Sequence, residues 1–156
     1  NVASQWRSTN TANTTNQGSV AIDLNGGFMV QAVGNQTVPV AGTVVSGNVT
    51  TAFQAGKFQI VGLPHTLLTA NTTLGQLFPN GSTFTKAGTP GGADVLYLTV
   101  NGNLQKFFYN STANQWRSTN TGNTTNQAGV VINRGDAFMV QPFANGTITL
   151  AENFTE

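Results

Sequence analysis

Apolar and polar residues alternate along most of this chain with a period of two. Ten segments follow the alternation; they are short, rich in Val, Ile, Thr and Phe, and separated by Gly, Asn or Asp. This pattern is typical of β-strands that bury one face. The segments are 19–24, 27–33, 37–45, 48–53, 57–63, 93–100, 104–109, 129–133, 137–143 and 146–154. We therefore predict an all-β fold, either an antiparallel β-sandwich or a partly closed barrel.

Turn and helix signals are few. Asn25-Gly26 and Asn101-Gly102 each lie between two predicted strands. Both residues of such a pair tolerate the positive φ that a primed hairpin turn requires, so both pairs predict hairpins. Residues 65–78 could form a helical turn or two, and the threonines and Gly75 within them predict that any helix is short.

The chain contains a long internal repeat. Residues 5–45 and 115–155 align without a gap and are identical at 21 of 41 positions, including a shared QWRSTNT and a shared NTTNQ. We call 5–45 the first copy, 115–155 the second copy, and 46–114, which occurs once, the unique segment. The chain is therefore one full repeat preceded by the last part of another.

The incomplete repeat divides the chain into an N-terminal half-repeat, 1–45, and a predicted β-sandwich domain, 46–156. Each copy offers about four strands, too few to bury a two-sided core, so the half-repeat needs a partner. It could pack onto its own chain as extra strands, or it could complete the sheet of a neighbouring subunit in a head-to-tail filament. A third interpretation is that the chain belongs to a longer array of repeats.

In the filament interpretation, the half-repeat contacts the neighbouring subunit through its alternating apolar side chains. These candidate subunit-contact residues are Val20, Ile22, Phe28, Val30, Val38 and Val40. The first copy repeats strands that, in the second copy, are adjacent to the unique segment. We therefore expect the surface of these residues to match the unique segment of a neighbouring subunit.

The composition excludes several classes of protein. Charged residues make up 7% of the chain and the net charge is +1, so no basic face is expected for nucleic acid. The lack of cysteine excludes disulfides and thiolate metal sites. No apolar run reaches the roughly 18 residues of a membrane span. Asn and Thr, with 19 and 24 residues, supply a neutral polar surface on which copies of the chain can pack without strong repulsion.

Nine Asn-x-Ser/Thr sequons are candidate sites of N-glycosylation. Two pairs of them occupy equivalent places in the two copies. Because glycans would coat and protect an extracellular assembly, we expect a secreted glycoprotein that lies outside the cell or on its surface. The candidate sites are Asn13, Asn35, Asn48, Asn71, Asn80, Asn110, Asn123, Asn145 and Asn153.

Candidates for catalysis are scarce. His65 is the single histidine, and the five carboxylates show no motif spacing, so we expect no enzyme, no metal site and no other cofactor. Trp6 and Trp116 are the candidate aromatic residues for binding a ligand. Each could stack on a sugar ring, or each could pack in the interior of the fold.

Four segments carry a resemblance: FQIVGLPHTLLTANTTLGQLFP, ADVLYLTVNGNLQKFFYN, QWRS and VINRGDAFMVQ. Together they resemble uncharacterised secreted β-rich repeat modules of environmental microbes, over about 57–150. The resemblance implies a β-rich fold and no particular activity or functional residue. The plan of a half-repeat before a full repeat is similar to filament subunits that are built by donor-strand exchange.

Repeat and composition together predict a self-assembling structural subunit of an extracellular filament or surface layer. It would polymerise by β-strand complementation, so its main partner would be another copy of itself. The alternative is a non-catalytic carbohydrate-binding or adhesive module that uses Trp6 or Trp116.

Overall fold

A computed structural model describes residues 48–63, 72–120, 124–133 and 136–150, together with Asn16, Gln17, Ser19, Gly34 and Thr37. These residues form seven strands, one short helix and two 3-10 helices. In chain order they are β1 (Val49–Phe53), β2 (Gln59–Gly62), α1 (Leu74–Leu77), the 3-10 helices Pro79–Gly81 and Pro90–Gly92, β3 (Val95–Val100), β4 (Asn103–Asn110), β5 (Gln115–Ser118), β6 (Ala137–Gln141) and β7 (Gly146–Leu150).

The strands form two antiparallel sheets that share one apolar core. The larger sheet has the order β2-β6-β3-β4-β5, and the smaller sheet pairs β1 with β7. Phe53 of β1 and Ile148 of β7 belong to the same buried cluster as Leu96, Phe107 and Val140 of the larger sheet. Among the described strands neither sheet closes on itself. The predicted all-β class is therefore confirmed, with the character of a β-sandwich.

One bent ribbon connects the two sheets. Val49 of β1 faces Leu150 of β7, and Gln59 of β2 faces Val140 of β6. The same number of residues therefore separates Val49 from Gln59 as separates Val140 from Leu150. At the bend, the Gly56 amide donates to the Pro142 carbonyl at 2.9 Å. Gly56 has a φ of 70°, which favours glycine at this corner. The ribbon thus leaves one sheet and enters the other without losing register.

The hairpin between β3 and β4 has the predicted turn. Asn101 and Gly102 have φ values of 50° and 76°, as a type I′ turn requires. This confirms the prediction from Asn101-Gly102. The other predicted hairpin, at Asn25-Gly26, lies outside the described residues.

Helix α1 is short because its sequence begins and ends it within one turn. Thr73 caps its start: the Gln76 amide donates to the Thr73 hydroxyl at 3.3 Å, and the Thr73 amide donates to the Gln76 side chain at 2.9 Å. Pro79 follows Phe78 and starts a 3-10 turn in place of further α-helix. The helical turn predicted within 65–78 is confirmed in its described part.

The strand predicted over 129–133 is not present as a strand. Its one ladder contact is an isolated antiparallel bridge between Val131 and Thr73. Thr73 is the N-cap of α1, so the partner backbone turns into a helix directly after the bridge. Toward residue 129 the pairing ends at this bridge, because the partner backbone is helical from Leu74 onward.

A buried carboxylate holds the bend of the ribbon against the larger sheet. Asp94 is 3% exposed. Its carboxylate accepts hydrogen bonds from the Thr85 amide and the Phe143 amide, both at 2.7 Å. Both donors are backbone groups that would otherwise need another partner. Asp94 therefore connects the segment before β3 to the connection between β6 and β7.

We expect Asp94→Asn to lower the free energy of unfolding by roughly 1 to 3 kcal/mol, because the amide nitrogen would face a backbone N–H and leave that donor unsatisfied. Urea denaturation followed by tryptophan fluorescence measures the change. Asp136→Asn is the control, since its carboxylate accepts from the Asn133 amide, which belongs to an exposed residue close to it in sequence. Equal losses in both variants would contradict a special role for Asp94.

Candidate functional site

The three described strands of the second copy all pair with strands of the unique segment. β5 pairs with β4, and β7 pairs with β1. β6 lies between β2 and β3 and is bonded to both. We call the surface formed by β1–β4 and α1 the copy site. The second copy occupies the copy site with β6, which is inserted between two strands, and with β5 and β7, which each pair with one strand. Its strands therefore complete both sheets.

Backbone hydrogen bonds also connect the second copy to the start of α1. The Leu74 amide donates to the Val130 carbonyl, and the Gly75 amide donates to the Ala128 carbonyl, both at 2.8 Å. The first amides of a helix have no partner inside the helix, so these carbonyls satisfy groups that would otherwise be unpaired. A Cβ atom at Gly75 would lie 2.8 Å from the Ala128 Cβ atom, so a larger residue would disrupt this contact.

Trp116 lies in the interior of the copy site. It is 1% exposed, and its indole nitrogen donates to the Phe78 carbonyl at 3.1 Å. Its ring packs edge-to-face on Phe84 and Tyr109, with centroids 5.8 and 5.6 Å apart. Neither ring face is available to a sugar, so the interior-packing interpretation holds for Trp116. Trp6 lies outside the described residues.

The six candidate subunit-contact residues lie outside the described residues, but their equivalents 110 positions later are described. All six equivalents belong to the core or pack against it. The fold thus shows what this apolar pattern does in the second copy: it fills the copy site. The equivalents, in the same order, are Val130, Ile132, Phe138, Val140, Ile148 and Leu150.

The first copy preserves this buried pattern. The second copy has eight buried residues among those described, and the first copy has the same residue at five of the eight positions. At the other three it has a smaller apolar residue: Ala32 in place of Pro142, Val38 in place of Ile148, and Val40 in place of Leu150. Less conservative differences lie at exposed positions, such as Pro39 in place of Thr149. The first copy therefore has the side chains needed to occupy the copy site.

The two copies should differ in affinity for the copy site by a small amount. Val38 and Val40 each have one methylene fewer than Ile148 and Leu150, which are both buried. A buried methylene contributes about 0.8 kcal/mol, and an unfilled space adds to that cost. This difference favours occupation by the second copy, which is the arrangement that the structure shows.

Four of the nine sequon asparagines are described. Asn48, Asn80 and Asn145 are exposed, and the Asn145 side chain accepts from the Ala55 amide at 2.8 Å. Asn110 is 6% exposed; its amide donates to the Gly88 carbonyl and its oxygen accepts from the Ala113 amide, both at 2.8 Å. A glycan on Asn110 would break this network. The candidates outside the described residues are Asn13, Asn35, Asn71, Asn123 and Asn153.

Other chemical groups form no obvious site in the described part of the chain. It contains no group of three or more His, Cys, Asp or Glu residues that could hold a metal ion. No helix within 48–63, 72–120, 124–133 or 136–150 is both long and apolar enough to cross a membrane. His65 lies outside the described residues.

An open groove of about 480 Å³ lies beside the bend of the ribbon. Tyr97 and Gln141 line it, and the Tyr97 hydroxyl donates to the Gln141 side chain at 2.9 Å. The Lys106 ammonium lies 5.3 Å from the Tyr97 ring centroid. Phe143, which is 56% exposed, forms part of the wall. The groove therefore combines aromatic surface with neutral and cationic hydrogen-bonding groups.

Comparisons with protein families, curated proteins and solved structures find no match to this chain.

The double variant Ile148→Val and Leu150→Val gives the second copy the first copy's residues at two core positions. We expect its free energy of unfolding to fall by roughly 1 to 3 kcal/mol, because two buried methylenes are lost. Denaturation followed by Trp116 fluorescence in a Trp6→Phe background measures this. Phe143→Val is the matched control: it also installs the first copy's residue, at an exposed position, and should change stability by less than about 0.5 kcal/mol.

Proposed function

We propose that this protein is a structural subunit of an extracellular filament or surface layer that assembles by β-strand complementation. The first copy of one chain occupies the copy site of the next and so links them. One observation supports this above the others. At every described position where the second copy buries an apolar side chain in the copy site, the first copy also has an apolar side chain.

The position of β6 explains why such a link would be strong. β6 is bonded along both edges, to β2 and to β3, and its Phe138 and Val140 side chains are buried. A strand from another chain at this position would gain two ladders of backbone hydrogen bonds and an apolar face. It would also carry the register of the sheets from one subunit to the next.

The similarity of the two copies keeps the free-energy cost of the exchange low. Each chain has one copy site and two copies, so a copy that enters from a sister chain replaces one that packed in almost the same way. Domain swapping has a low cost for this reason, because the exchanged element is bound in its new subunit as it was in its own. Since the net charge is +1 and charged residues are 7% of the chain, electrostatic repulsion between subunits is weak. Glycans on exposed asparagines would protect the surface of such an assembly.

Val30→Asp tests the link in the full chain. Val30 is the equivalent of buried Val140, so a carboxylate there should prevent the first copy from entering a copy site, because a buried unpaired charge is costly. We expect filaments from the natural sequence by negative-stain microscopy and none from Val30→Asp. Val33→Asp is the control, because Val33 is the equivalent of exposed Phe143. Identical fibres from Val30→Asp, or no polymer from the natural sequence, would contradict the proposal.

The groove beside the ribbon bend favours a second candidate function, a non-catalytic carbohydrate-binding or adhesive module. With Trp116 buried, the exposed Phe143 ring is a better platform for the apolar face of a sugar. The Lys106 ammonium and the Gln141 amide lie in the same groove and can bond to hydroxyl groups. This candidate needs no assembly.

A glycan array tests this second candidate. We expect Phe143→Ala to lose roughly five- to thirtyfold in affinity for any glycan that the natural chain binds, because one stacking contact is worth roughly 1 to 2 kcal/mol. Leu104→Ala, a change at another exposed apolar residue outside the groove, should bind unchanged. Binding that survives Phe143→Ala would remove the groove as the site.

A further inference from the structure

The copy site can be occupied in two ways within a single chain. In the structure, the second copy occupies it from the C-terminal side of the unique segment. We infer that the first copy can occupy the copy site of its own chain from the N-terminal side, in place of the second copy, which is then released. This inference concerns one chain and does not rest on filament formation.

The register of the ribbon supports the inference. β1 begins at Val49, which faces Leu150, and the equivalent of Leu150 is Val40. Only residues 41–48 separate Val40 from Val49. Facing residues of an antiparallel pair lie about 5 Å apart, and eight residues span that distance easily. The strand equivalent to β7 can therefore pair with β1 as a hairpin.

The remaining strands follow from the same shift of 110 positions. The equivalent of β6, residues 27–31, would lie between β2 and β3, with Val30 facing Gln59 on one side and Leu96 on the other. The equivalent of β5, residues 5–8, would lie beside β4, with Trp6 facing Tyr109. Residues 5–110 would then form the same two sheets as 49–150, with a different connection between the strands.

The two arrangements exclude each other, because only one copy can occupy the copy site at a time. They also differ in the connection that joins the copy to the unique segment. The structure uses a short turn from Asn110 to Gln115, in which the Tyr109 hydroxyl donates to the Asn114 side chain at 2.9 Å. The alternative opens this turn and uses 41–48 instead. Because both connections are within one chain, dilution does not favour either. The differences between the copies decide the populations, and the larger Ile148 and Leu150 favour the second copy.

Cysteine pairs can distinguish the two arrangements, since the chain has no cysteine of its own. Thr50→Cys with Thr149→Cys reports the observed arrangement, because these side-chain oxygens are 3.0 Å apart. Thr50→Cys with Pro39→Cys reports the alternative, because Pro39 is the equivalent of Thr149. Thr50→Cys with Thr37→Cys is the off-register control: Thr37 is the equivalent of Thr147, which faces Ala52.

Oxidation of dilute full-length protein, followed by non-reducing gels and peptide mapping, gives the result. In the natural background, we expect the 39–50 disulfide to form within the chain roughly ten- to hundredfold more slowly than the 50–149 disulfide, as a minor arrangement would. Val140→Asp, which prevents the second copy from occupying the copy site, is then added. In this background the 39–50 disulfide should form faster than the 50–149 disulfide, and far-UV circular dichroism should show that the sheets are kept. The 37–50 control should stay slow in both backgrounds.

Three results would overturn the inference. A Val140→Asp chain that loses its sheets would show that the first copy cannot occupy the copy site. A 39–50 disulfide found only between chains would support exchange between subunits and exclude occupation within the chain. Equal formation of the 39–50 and 37–50 disulfides would show that the register is absent. The second result leaves the proposed function intact, so failure of one proposal is distinguishable from failure of the other.

Discussion

The insertion of β6 between β2 and β3 is the contact on which the rest of the structure depends. Among the described strands, β2 has no other neighbour, and β1 reaches the core through the same bent ribbon. Without β6, the backbone groups of β2 and one edge of β3 would have no partner, and the face that buries Phe138 and Val140 would meet water. Both losses cost free energy. The unique segment therefore depends on strands of the second copy to complete its sheets.

This requirement gives the internal repeat a physical meaning. The copy site recognises a spacing of apolar side chains and a strand register, and both copies have them. The second copy has one methylene more than the first at each of positions 148 and 150, and this difference favours the second copy as the occupant. A chain with one site and two nearly equivalent occupants is suited to exchange, whether within the molecule or between molecules.

The Asn-rich composition serves the fold as well as the surface. Asn110 and Asn145 bond to backbone groups of distant segments, and Asn101 adopts the positive φ of a hairpin turn. Amides can donate and accept at once, so they satisfy turns and corners without adding charge. The neutral polar surface and the well-defined turns of the fold therefore come from the same residue type.

The sequence by itself determined the class of the fold and most of its local structure. Alternation of apolar residues identified six of the seven described strands, and Asn101-Gly102 identified a type I′ turn, because side-chain period and positive φ are properties of neighbouring residues. β5 was less evident, since its four residues adjoin a long polar phrase. In the second copy, the apolar pattern also marks positions that belong to the core or pack against it.

Only the tertiary structure decided what each pattern is packed against. It made 129–133 a single bridge, because its partner Thr73 begins a helix, and it buried Trp116 under Phe84 and Tyr109. It also placed Asp94 beside two amides that are distant in sequence. Pairing order and burial depend on which segments meet in space, and local propensity carries no information about that meeting.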